Sequence, residues 1–309
     1  MILLTGASGY LGRYVVEELK KHNLPAKAIR RTLLRKTTGI KSKWCNLSDT
    51  KRLKGFMEDV DGIIHTASPR TLKREKVVKE GILGTSYLID YWKEKNFIYC
   101  SSQGVIGIPP KEPFDEDLLY NPIYWYDIEK ICCELLLLKK LNEEKGFSGH
   151  YIILRIPFIF APNSRMNDYQ FLYPIIQHAI KNLPFVFMGK EEDVENAGSS
   201  WVDARDLASC LVEALYWQES GIYNIANGFV RWIDLIEMIK KITGSKSEII
   251  IQEKDTDIEG GFLLPTSHSE LDTSKAIKKG FVPRYTIHQT IGECVDFYLK
   301  HYRNDKSIS

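Results

Sequence analysis

Short apolar runs alternate with amphipathic segments along the first half of the chain. The runs predict strands at 2–5, 26–30, 43–47, 62–68, 97–102 and 151–160. The segments between them predict helices, most clearly at 10–22, 74–95 and 124–145, because apolar residues recur there at helical spacing. Strands that alternate with helices, and that are apolar almost throughout, are typical of a doubly wound parallel sheet covered on both faces. The sequence therefore predicts an α/β fold.

The alternation loosens after Pro162. The second half predicts helices at 169–181, 202–215, 231–243 and 286–302, strands at 184–189, 221–228 and 247–252, and a loop at 255–270 that is rich in Gly, Pro and Ser. We interpret this as a smaller domain interleaved with the first. The predicted boundaries are 1–161 for the sheet domain, to which 199–228 returns, and 162–198 with 229–309 for the smaller domain.

Composition and charge exclude several classes of function. The 309 residues are 44% hydrophobic and 27% charged, and the formal net charge is +2. No long basic run is interleaved with aromatic residues, so we expect no nucleic-acid partner. The chain opens on an apolar strand without a basic leader, its apolar runs are too short to span a membrane, and its six cysteines lack metal-ligand spacing. We expect a cytoplasmic protein with reduced thiols and no metal.

The segment TGASGYLG joins the first predicted strand to the first predicted helix. It places Gly6, Gly9 and Gly12 where a tight turn lets a pyrophosphate approach the free N–H groups of a helix N-terminus. A glycine-bearing turn without a ligand would have the same composition, but the strand–turn–helix context favours a dinucleotide. We therefore predict that 1–161 is a dinucleotide-binding domain.

Two arginines at the end of the second predicted strand bear on which dinucleotide binds. An acidic residue about 20 positions after the glycines would hold the ribose 2′-hydroxyl of NAD. Here Arg30 and Arg31 occupy that place, and 26–36 contains no acid. Guanidinium groups bind phosphate in bidentate fashion, so NADP(H) is favoured over NAD(H), although the basic segment could also be a solvated edge. Asn46 and Leu47 are candidates to flank the adenine.

The segment IYWYDIEK, residues 123–130, allows two interpretations. Tyr126 and Lys130 lie one helical turn apart, where the lysine charge would stabilise a phenolate and prepare the tyrosine for proton transfer beside a nicotinamide. Ser102, at the end of the fifth predicted strand, could then position a substrate oxygen. Alternatively, the segment is the start of an ordinary amphipathic helix, with Tyr and Trp buried and Asp and Glu outside.

Spacing alone does not decide between these interpretations, because Tyr91 and Lys95 are also four residues apart. They precede the fifth predicted strand and so lie near its N-terminal edge, whereas ligands of open α/β sheets bind outside the carboxyl ends. Tyr126 follows the Ser102 strand end and lies on the ligand side. We interpret Tyr91 as a core or surface residue.

Taken in order, nine segments resemble the extended short-chain dehydrogenases/reductases, also called the NAD-dependent epimerase/dehydratase family. The matching segments are TGASGYLG, DGIIHTAS, LGTSYLID, IYCSSQGVIG, Tyr126-x-x-x-Lys130 with Glu134, RIPFIFAP, VDARDLA, GIYNIANG and LDTSKAIKKGFVP. The resemblance implies a Rossmann-type N-terminal domain and a smaller C-terminal substrate-binding domain. It also implies a catalytic Ser–Tyr–Lys site, in which Ser102 rather than Ser101 matches the family's serine.

The resemblance further implies a set of residues that line the cofactor. Besides Arg30, Arg31, Asn46 and Leu47, they are Gly6, Ser8, Gly9, Tyr10, Leu11, Gly12, His65, Ala67, Tyr126, Lys130, Pro157 and Ile159.

Departures from the family pattern reduce the number of reactions that the protein could catalyse. Ser102 is followed by Gln-Gly where the family's dehydratases have Asp-Glu, and the cysteine of members that epimerise C3 and C5 is missing from this place. Reduction, oxidation and 4-epimerisation through a keto intermediate remain. Arginines that clamp the pyrophosphate of a nucleotide sugar are absent from their usual places, where Arg165 or Arg231 could substitute or be surface charges. Gly81 replaces an asparagine of many members, which would alter the support of the lysine.

Four functions stay open on the sequence. The favoured one is an NADP(H)-dependent oxidoreductase that reduces a nucleotide-linked 4-keto-deoxysugar. The alternatives are an NAD-dependent sugar-nucleotide 4-epimerase, a reductase of a non-nucleotide ketone or aldehyde, and a non-catalytic NADP-sensing protein. Retention of Ser102, Tyr126 and Lys130 disfavours the last of these.

We expect the protein to be a homodimer in which the helix predicted at 124–145 lies in the contact between subunits, because in this family that helix often pairs across a dimer. Cys132, Leu136 and Leu137 would serve either that contact or the core.

Overall fold

The computed structural model describes residues 1–30, 39–69, 71, 73–143, 146–162, 171–253 and 261–302. In chain order, the strands are β1 (Ile2–Thr5), β2 (Ala26–Arg30), β3 (Lys41–Trp44), β4 (Gly62–His65), β5 (Phe97–Ser102), β6 (Tyr151–Ile156), β7 (Phe158–Phe160), β8 (Phe185–Met188), β9 (Gly198–Asp203), β10 (Gly221–Asn224), β11 (Gly228–Arg231), β12 (Ile249–Gln252), β13 (Phe262–Leu264) and β14 (His268–Ser269). The helices are α1 (Tyr10–Lys21), α2 (Thr50–Met57), α3 (Arg74–Lys76), α4 (Leu83–Asp90), α5 (Trp125–Glu143), α6 (Leu172–Ile180), α7 (Glu191–Asn196), α8 (Ala204–Glu213), α9 (Trp232–Thr243), α10 (Ser274–Lys278) and α11 (Ile287–Tyr302). Among these described helices, none combines the length and the apolar character needed to cross a membrane.

Seven parallel strands form the main sheet, in the spatial order β3-β2-β1-β4-β5-β6-β10. The central strands β1 and β4 are buried along their whole length, which is why their sequences are apolar without alternation. Because all the strands run the same way, their carboxyl ends meet at one edge of the sheet. The predicted doubly wound, Rossmann-type α/β fold is confirmed.

The two faces of the main sheet pack against different helices. Side chains alternate along a strand, so Leu4 and Ile64 join the core formed with α1 and α8, whereas Leu3 and Ile63 join the core formed with α4 and α5. Leu137 of α5, for which a core or a dimer role was open, belongs to the second of these cores. The homodimer stays a prediction.

Two smaller sheets form the rest of the described fold. β9 pairs with β7, β11 and β14, while β8 pairs with β12 and β13. Aromatic residues dominate their core, which includes Phe160, Trp201 and Trp232 and is covered by α6, α9 and α11. Within the predicted returning segment 199–228, β10 joins the main sheet and α8 packs on it. β9 instead pairs with strands of the smaller sheets.

The apolar run 151–160 is two strands rather than the single strand predicted. β6 ends at Ile156 in the main sheet, and β7 begins at Phe158 in a smaller sheet. Pro157 separates them because proline has no backbone N–H to donate to a ladder of strands. The break transfers the chain from one sheet to the other at the edge where the strand ends meet.

One segment without a predicted element forms a helix, and three predicted elements differ locally from the prediction. The polar segment after β8 forms α7, whose first turn carries three acidic residues that interact favourably with the helix N-terminus. The helix predicted from residue 202 begins at Ala204, because β9 continues through Asp203. The segment predicted as a loop at 255–270 contains β13 and β14, and the helix predicted at 74–95 is interrupted by a π-helical turn at Val77–Ile82.

Candidate active site

The carboxyl ends of β1, β4 and β5 bring the predicted site residues to one edge of the main sheet. Thr5, His65 and Ser102 are the last residues of these strands. α1 begins at Tyr10, shortly after β1, and Ser102 leads into a short 3-10 turn before the chain reaches α5. This edge is where open parallel α/β sheets bind their ligands.

Two consecutive serines at the end of β5 have different surroundings. Ser101 is buried and donates a hydrogen bond to the carboxylate of Glu134. Ser102 is half-buried, and its Oγ accepts a hydrogen bond from the Gly104 backbone N–H at 3.0 Å. Since that oxygen acts as an acceptor, its hydrogen can be donated to a ligand. The geometry favours Ser102 over Ser101 as the residue that faces a substrate.

Tyr126 and Lys130 lie on the same face of α5. The Lys130 side chain is buried, and its Nζ donates a hydrogen bond to the Cys100 carbonyl oxygen at 3.0 Å. The same nitrogen lies 5.3 Å from the centre of the Tyr126 ring and 5.0 Å from the centre of the Tyr99 ring. Burial disfavours the ammonium, but attraction by Tyr126 and Glu129 outweighs it and raises the pKa of Lys130 above its ordinary value. A lysine that stays charged favours the phenolate form of Tyr126.

The acidic residues at the start of α5 are buried, and two of the neighbouring aromatic residues are exposed. Asp127 and Glu129 are 3% and 2% exposed, whereas Tyr124 and Trp125 are 62% and 38% exposed. Asp127 caps the helix, because its Oδ2 accepts hydrogen bonds from the backbone N–H groups of Ile123 and Tyr124 at 3.1 and 2.8 Å. The interpretation of this segment as an ordinary amphipathic start, with the acids outside, is therefore wrong.

The other Tyr-x-x-x-Lys pair lies at the opposite edge of the sheet. Lys95 forms an ion pair with Asp61 at 2.7 Å, and Asp61 also pairs with the amino group of Met1. The hydroxyl of Tyr91 donates to the Thr50 carbonyl oxygen at 3.5 Å. The prediction that Tyr91 is a packing or surface residue is confirmed.

The glycine turn has no room for side chains at two of its positions. A β-carbon on Gly6 would lie 2.6 Å from Thr66 Oγ1, and the Gly6 φ angle of +77° is in the left-handed region. A β-carbon on Gly12 would lie 2.1 Å from the Gly6 carbonyl oxygen. Gly9 precedes α1 and has no side chain to cap it, so the first turn presents its backbone N–H groups to an anion. The cradle fits the pyrophosphate of a dinucleotide.

A cavity of about 510 Å³ opens beside Ser102 and Tyr126. The carboxyl end of β6 and the break after it contribute Pro157 to its wall, and the smaller sheets and α9 contribute Ser199 and Trp232. The cavity therefore lies where the main sheet meets the smaller ones.

Most of the chain matches a known family. The sequence model of the NAD-dependent epimerase/dehydratase family matches residues 2–226. The chain belongs to this family. Cinnamoyl-CoA reductase 1 of Arabidopsis thaliana is 25% identical over 268 aligned positions, which span 78% of this chain and 74% of that relative. A putative UDP-glucose 4-epimerase of Methanocaldococcus jannaschii is 25% identical over 319 aligned positions, which span 98% of this chain and 100% of that relative.

Solved structures share the fold over nearly the whole chain. The UDP-glucose 4-epimerase of Thermotoga maritima, solved with UDP-glucose, has a TM-score of 0.82 and 18% identity, with coverage of 97% of this chain and 98% of that one. The UDP-glucose 4-epimerase of Thermus thermophilus in complex with NAD has a TM-score of 0.77 and 18% identity, with coverage of 96% and 98%. As a member of the epimerase/dehydratase family, the chain is an enzyme, and a nicotinamide dinucleotide is its cofactor.

The candidate contacts to the adenosine half of that cofactor lie at the ends of β2 and β3. Arg30 is the last residue of β2 and is half-buried, while Arg31 lies outside the described residues. Asn46 and Leu47 follow β3 at the same edge, and Asn46 Oδ1 accepts a hydrogen bond from the Ser48 backbone N–H at 3.1 Å. Because β2 and β3 pair in parallel, with Arg30 opposite Trp44, these two segments lie side by side, and their contact with the adenosine half stays a prediction.

Two predicted cofactor contacts use their polar side-chain atoms inside the protein. The Tyr10 hydroxyl donates to the Ala161 carbonyl oxygen at 2.7 Å. The ring of His65 lies between Thr5 and Thr85, at N–O distances of 2.5 and 2.8 Å, and burial lowers its pKa to about 3, so the ring is neutral. These side chains position the strand ends and α1. The remaining predicted contacts are buried or half-buried at this edge: Ser8, Leu11, Ala67, Pro157 and Ile159.

Two features of the family site were not predicted from the sequence. Gln103 follows Ser102, and its Nε2 donates a hydrogen bond to Ser199 Oγ at 3.0 Å, which links β5 to β9 across the cavity wall. Gly81 lies against Glu129, since a β-carbon on Gly81 would be 2.6 Å from Glu129 Cδ. The unusual glycine was the only signal in the sequence, because its partner is distant along the chain.

Proposed function

We propose that the chain is an NADP(H)-dependent oxidoreductase that interconverts a carbonyl compound and a secondary or primary alcohol. The observation that carries this proposal is the arrangement of Lys130, held by the Cys100 carbonyl and close to the Tyr126 ring, beside a cavity that Tyr126 and Ser102 line. Bound NADP(H) would supply or accept the hydride.

Proton transfer at this site follows from the surroundings of the same three side chains. In reduction, Tyr126 donates its hydroxyl proton to the substrate oxygen as negative charge develops there, and the Ser102 hydroxyl donates a hydrogen bond to the same oxygen. The charge of Lys130 stabilises the phenolate that remains on Tyr126. In oxidation, the phenolate accepts the proton of the alcohol.

The cavity favours a substrate whose body is uncharged and largely apolar. Ile108, Ile123 and Tyr124 lie at its mouth and are 68%, 54% and 62% exposed, which is typical of an apolar binding surface. Among the described residues that line the cavity there is no lysine or arginine. His268, on the wall, lies 2.6 Å from a Glu112 oxygen, and Arg231, beyond the wall, pairs with Asp234 at 2.7 Å. A ketone or aldehyde with an apolar body fits this wall better than a nucleotide-linked 4-keto-deoxysugar does.

A sugar-nucleotide substrate is the second candidate. It is favoured by the similarity, over 98% of this chain, to a protein described as a putative UDP-glucose 4-epimerase, and by the structural neighbour solved with UDP-glucose. It requires a cation beside the substrate pyrophosphate. Arg165, which the sequence suggested for that role, lies outside the described residues.

Ligand-induced stabilisation and turnover separate the two substrate classes. We expect NADPH to raise the melting temperature, because a ligand at a hundred times its Kd adds roughly 2.7 kcal/mol to the free energy of unfolding. In the presence of NADPH, we expect aromatic or aliphatic ketones and aldehydes to be reduced, as measured by the loss of NADPH absorbance. A panel of UDP-, dTDP-, GDP- and CDP-sugars is the comparison. Further stabilisation and turnover with a nucleotide sugar, and none with the ketones, would replace the first substrate class with the second.

Arg30→Ala tests the preference for NADP(H). A guanidinium that binds the 2′-phosphate makes a charge-assisted hydrogen bond that the 2′-hydroxyl of NADH cannot match. We expect the substitution to weaken NADPH binding roughly tenfold to a hundredfold, with a small effect on NADH, as measured by calorimetric titration. Arg231→Ala, at the end of β11 in the smaller sheets, is the control and should change the affinity for neither NADPH nor NADH. Equal weakening of both cofactors by Arg30→Ala would show that NADP(H) is not preferred through this residue.

A further inference from the structure

Glu129 is a buried carboxylate for which the proposed proton transfer has no use. It immediately precedes Lys130 on α5, and it is 2% exposed. One of its oxygens, Oε2, accepts a hydrogen bond from the Ser68 hydroxyl at 3.2 Å, and the other, Oε1, lies 4.0 Å from Lys130 Nζ. Burial raises the pKa of Glu129, while Lys130 and the Ser68 hydroxyl act to lower it. A carboxylate this deeply buried is costly unless it is paired, so its position next to the lysine requires an explanation.

The space that Glu129 occupies exists because residue 81 is glycine. A β-carbon on Gly81 would lie 2.6 Å from Glu129 Cδ and 2.8 Å from its Cγ. Gly81 belongs to the π-helical turn Val77–Ile82, and its φ angle is not in the left-handed region, so the backbone itself does not require glycine there. The missing side chain instead leaves a notch that receives the carboxylate.

We propose that Glu129 is a positioning residue for the catalytic lysine: seated in the Gly81 notch, its carboxylate serves as the counter-ion of Lys130 and reduces the positive charge that acts on Tyr126. The inference rests on the proposed function, since it assigns a role to Lys130 and Tyr126 as a proton-transfer pair. The ammonium then donates a hydrogen bond to the Cys100 carbonyl oxygen at 3.0 Å and has the Glu129 carboxylate 4.0 Å away.

Most of the other titratable groups around Glu129 and Lys130 are neutral, so these two residues are the main source of charge there. His65, from β4, is neutral because burial lowers its pKa to about 3. Burial raises the pKa of Cys100 and of Cys133 to about 11, and it raises the pKa of Tyr99 as well, so these groups are neutral at neutral pH. Of the described carboxylates nearest to this pair on α5, Asp127 caps the helix and Glu134 is paired with Arg155. Removing the charge of Glu129 would therefore leave Lys130 without its nearest counter-charge.

Glu129→Gln is the direct test, because it keeps the shape of the side chain and removes its charge. A positive charge that is no longer offset favours the phenolate, so we expect the pKa of Tyr126 to fall by about one unit. The pKa is measured from tyrosinate absorbance, as the difference between each protein and its Tyr126→Phe derivative, with NADP⁺ bound. The acidic limb of the pH profile for alcohol oxidation should move to lower pH by the same amount. Titration curves of Glu129→Gln and the unsubstituted protein that coincide would overturn the proposal.

Glu143→Gln is the matched control, since it makes the same change of charge on the same helix. Glu143 is exposed and pairs with Lys139 at 2.8 Å, and it lies about 20 Å along the helix from Glu129. We expect the Tyr126 titration to be unchanged in this variant. A shift as large as that of Glu129→Gln would overturn the assignment to the buried carboxylate.

Gly81→Ala separates charge from packing. The added methyl should displace the carboxylate, lower the melting temperature and shift the Tyr126 titration in the same direction as Glu129→Gln does. In the double variant Gly81→Ala/Glu129→Ala the clash is gone, so we expect the melting temperature to recover while the titration stays shifted. A double variant with the original titration would show that Glu129 only fills space. Activity that survives Tyr126→Phe would contradict the proposed function itself, which is a different result from an unshifted titration.

Discussion

Tyr126→Phe is expected to lower turnover by roughly 10²- to 10⁴-fold, the contribution typical of a general acid or base. The phenylalanine ring can keep the place beside Lys130, whose Nζ lies 5.3 Å from the centre of the tyrosine ring, but it has no proton to exchange with the substrate oxygen. NADPH affinity should be nearly unchanged. Steady-state kinetics with the best substrate of the panel and calorimetric titration with NADPH measure the two effects.

Tyr91→Phe is the control for this variant, because the chain contains the same four-residue spacing at the other edge of the sheet. The Tyr91 hydroxyl donates a long hydrogen bond of 3.5 Å to the Thr50 carbonyl oxygen, so its loss should leave turnover intact. Equal turnover of Tyr126→Phe and the unsubstituted enzyme would refute the role of Tyr126.

Glu134→Ala is expected to lower the free energy of unfolding by roughly 3 to 5 kcal/mol, the effect of leaving one partner of a buried ion pair uncompensated. Glu134 and Arg155 are 0% and 1% exposed. The carboxylate accepts hydrogen bonds from Arg155 at 2.9 and 3.3 Å, from the Tyr120 hydroxyl at 2.9 Å, and from Ser101. Its removal would leave the guanidinium buried without its counter-charge, which urea denaturation would measure as a lower midpoint.

Glu143→Ala provides the matched comparison on the same helix. The Glu143–Lys139 pair is exposed to solvent, so its loss should change the free energy of unfolding by less than about 1 kcal/mol. If the two alanine variants unfold at the same urea concentration, the buried pair contributes no more to stability than a surface pair.

The alternation of strands and helices could be predicted because each element of the main sheet carries its own local pattern. β1, β4 and β5 are apolar runs of the right length, and the glycine turn and the Ser102 strand end are local signals at the carboxyl edge. Tyr126 could be separated from Tyr91 because the order of elements along the chain determines which edge each residue reaches.

Features that depend on contacts between distant segments could not be predicted in the same way. The sequence of α5 suggests that Glu129 faces solvent, and only the packing of the π-helical turn against α5 shows that the acid is inside. The division of 151–160 between two sheets did have a local signal, Pro157, but ten consecutive mostly apolar residues resemble one long strand. Whether Arg30 meets a phosphate depends on a ligand, which neither pattern nor packing supplies.

The two neighbouring serines that end β5 have different roles. Ser101 helps to anchor the buried Glu134–Arg155 pair, while Ser102 lines the cavity. Natural selection should therefore act differently at the two positions. A change at Ser101 should mainly alter the fraction of molecules that stay folded, whereas a change at Ser102 should mainly alter the rate of the reaction. A slip of one residue in the register of β5 would put Cys100 or Gln103 into one of these two environments and would turn every side chain of the strand to the opposite face. An insertion or deletion before the strand should therefore impair folding and reaction together.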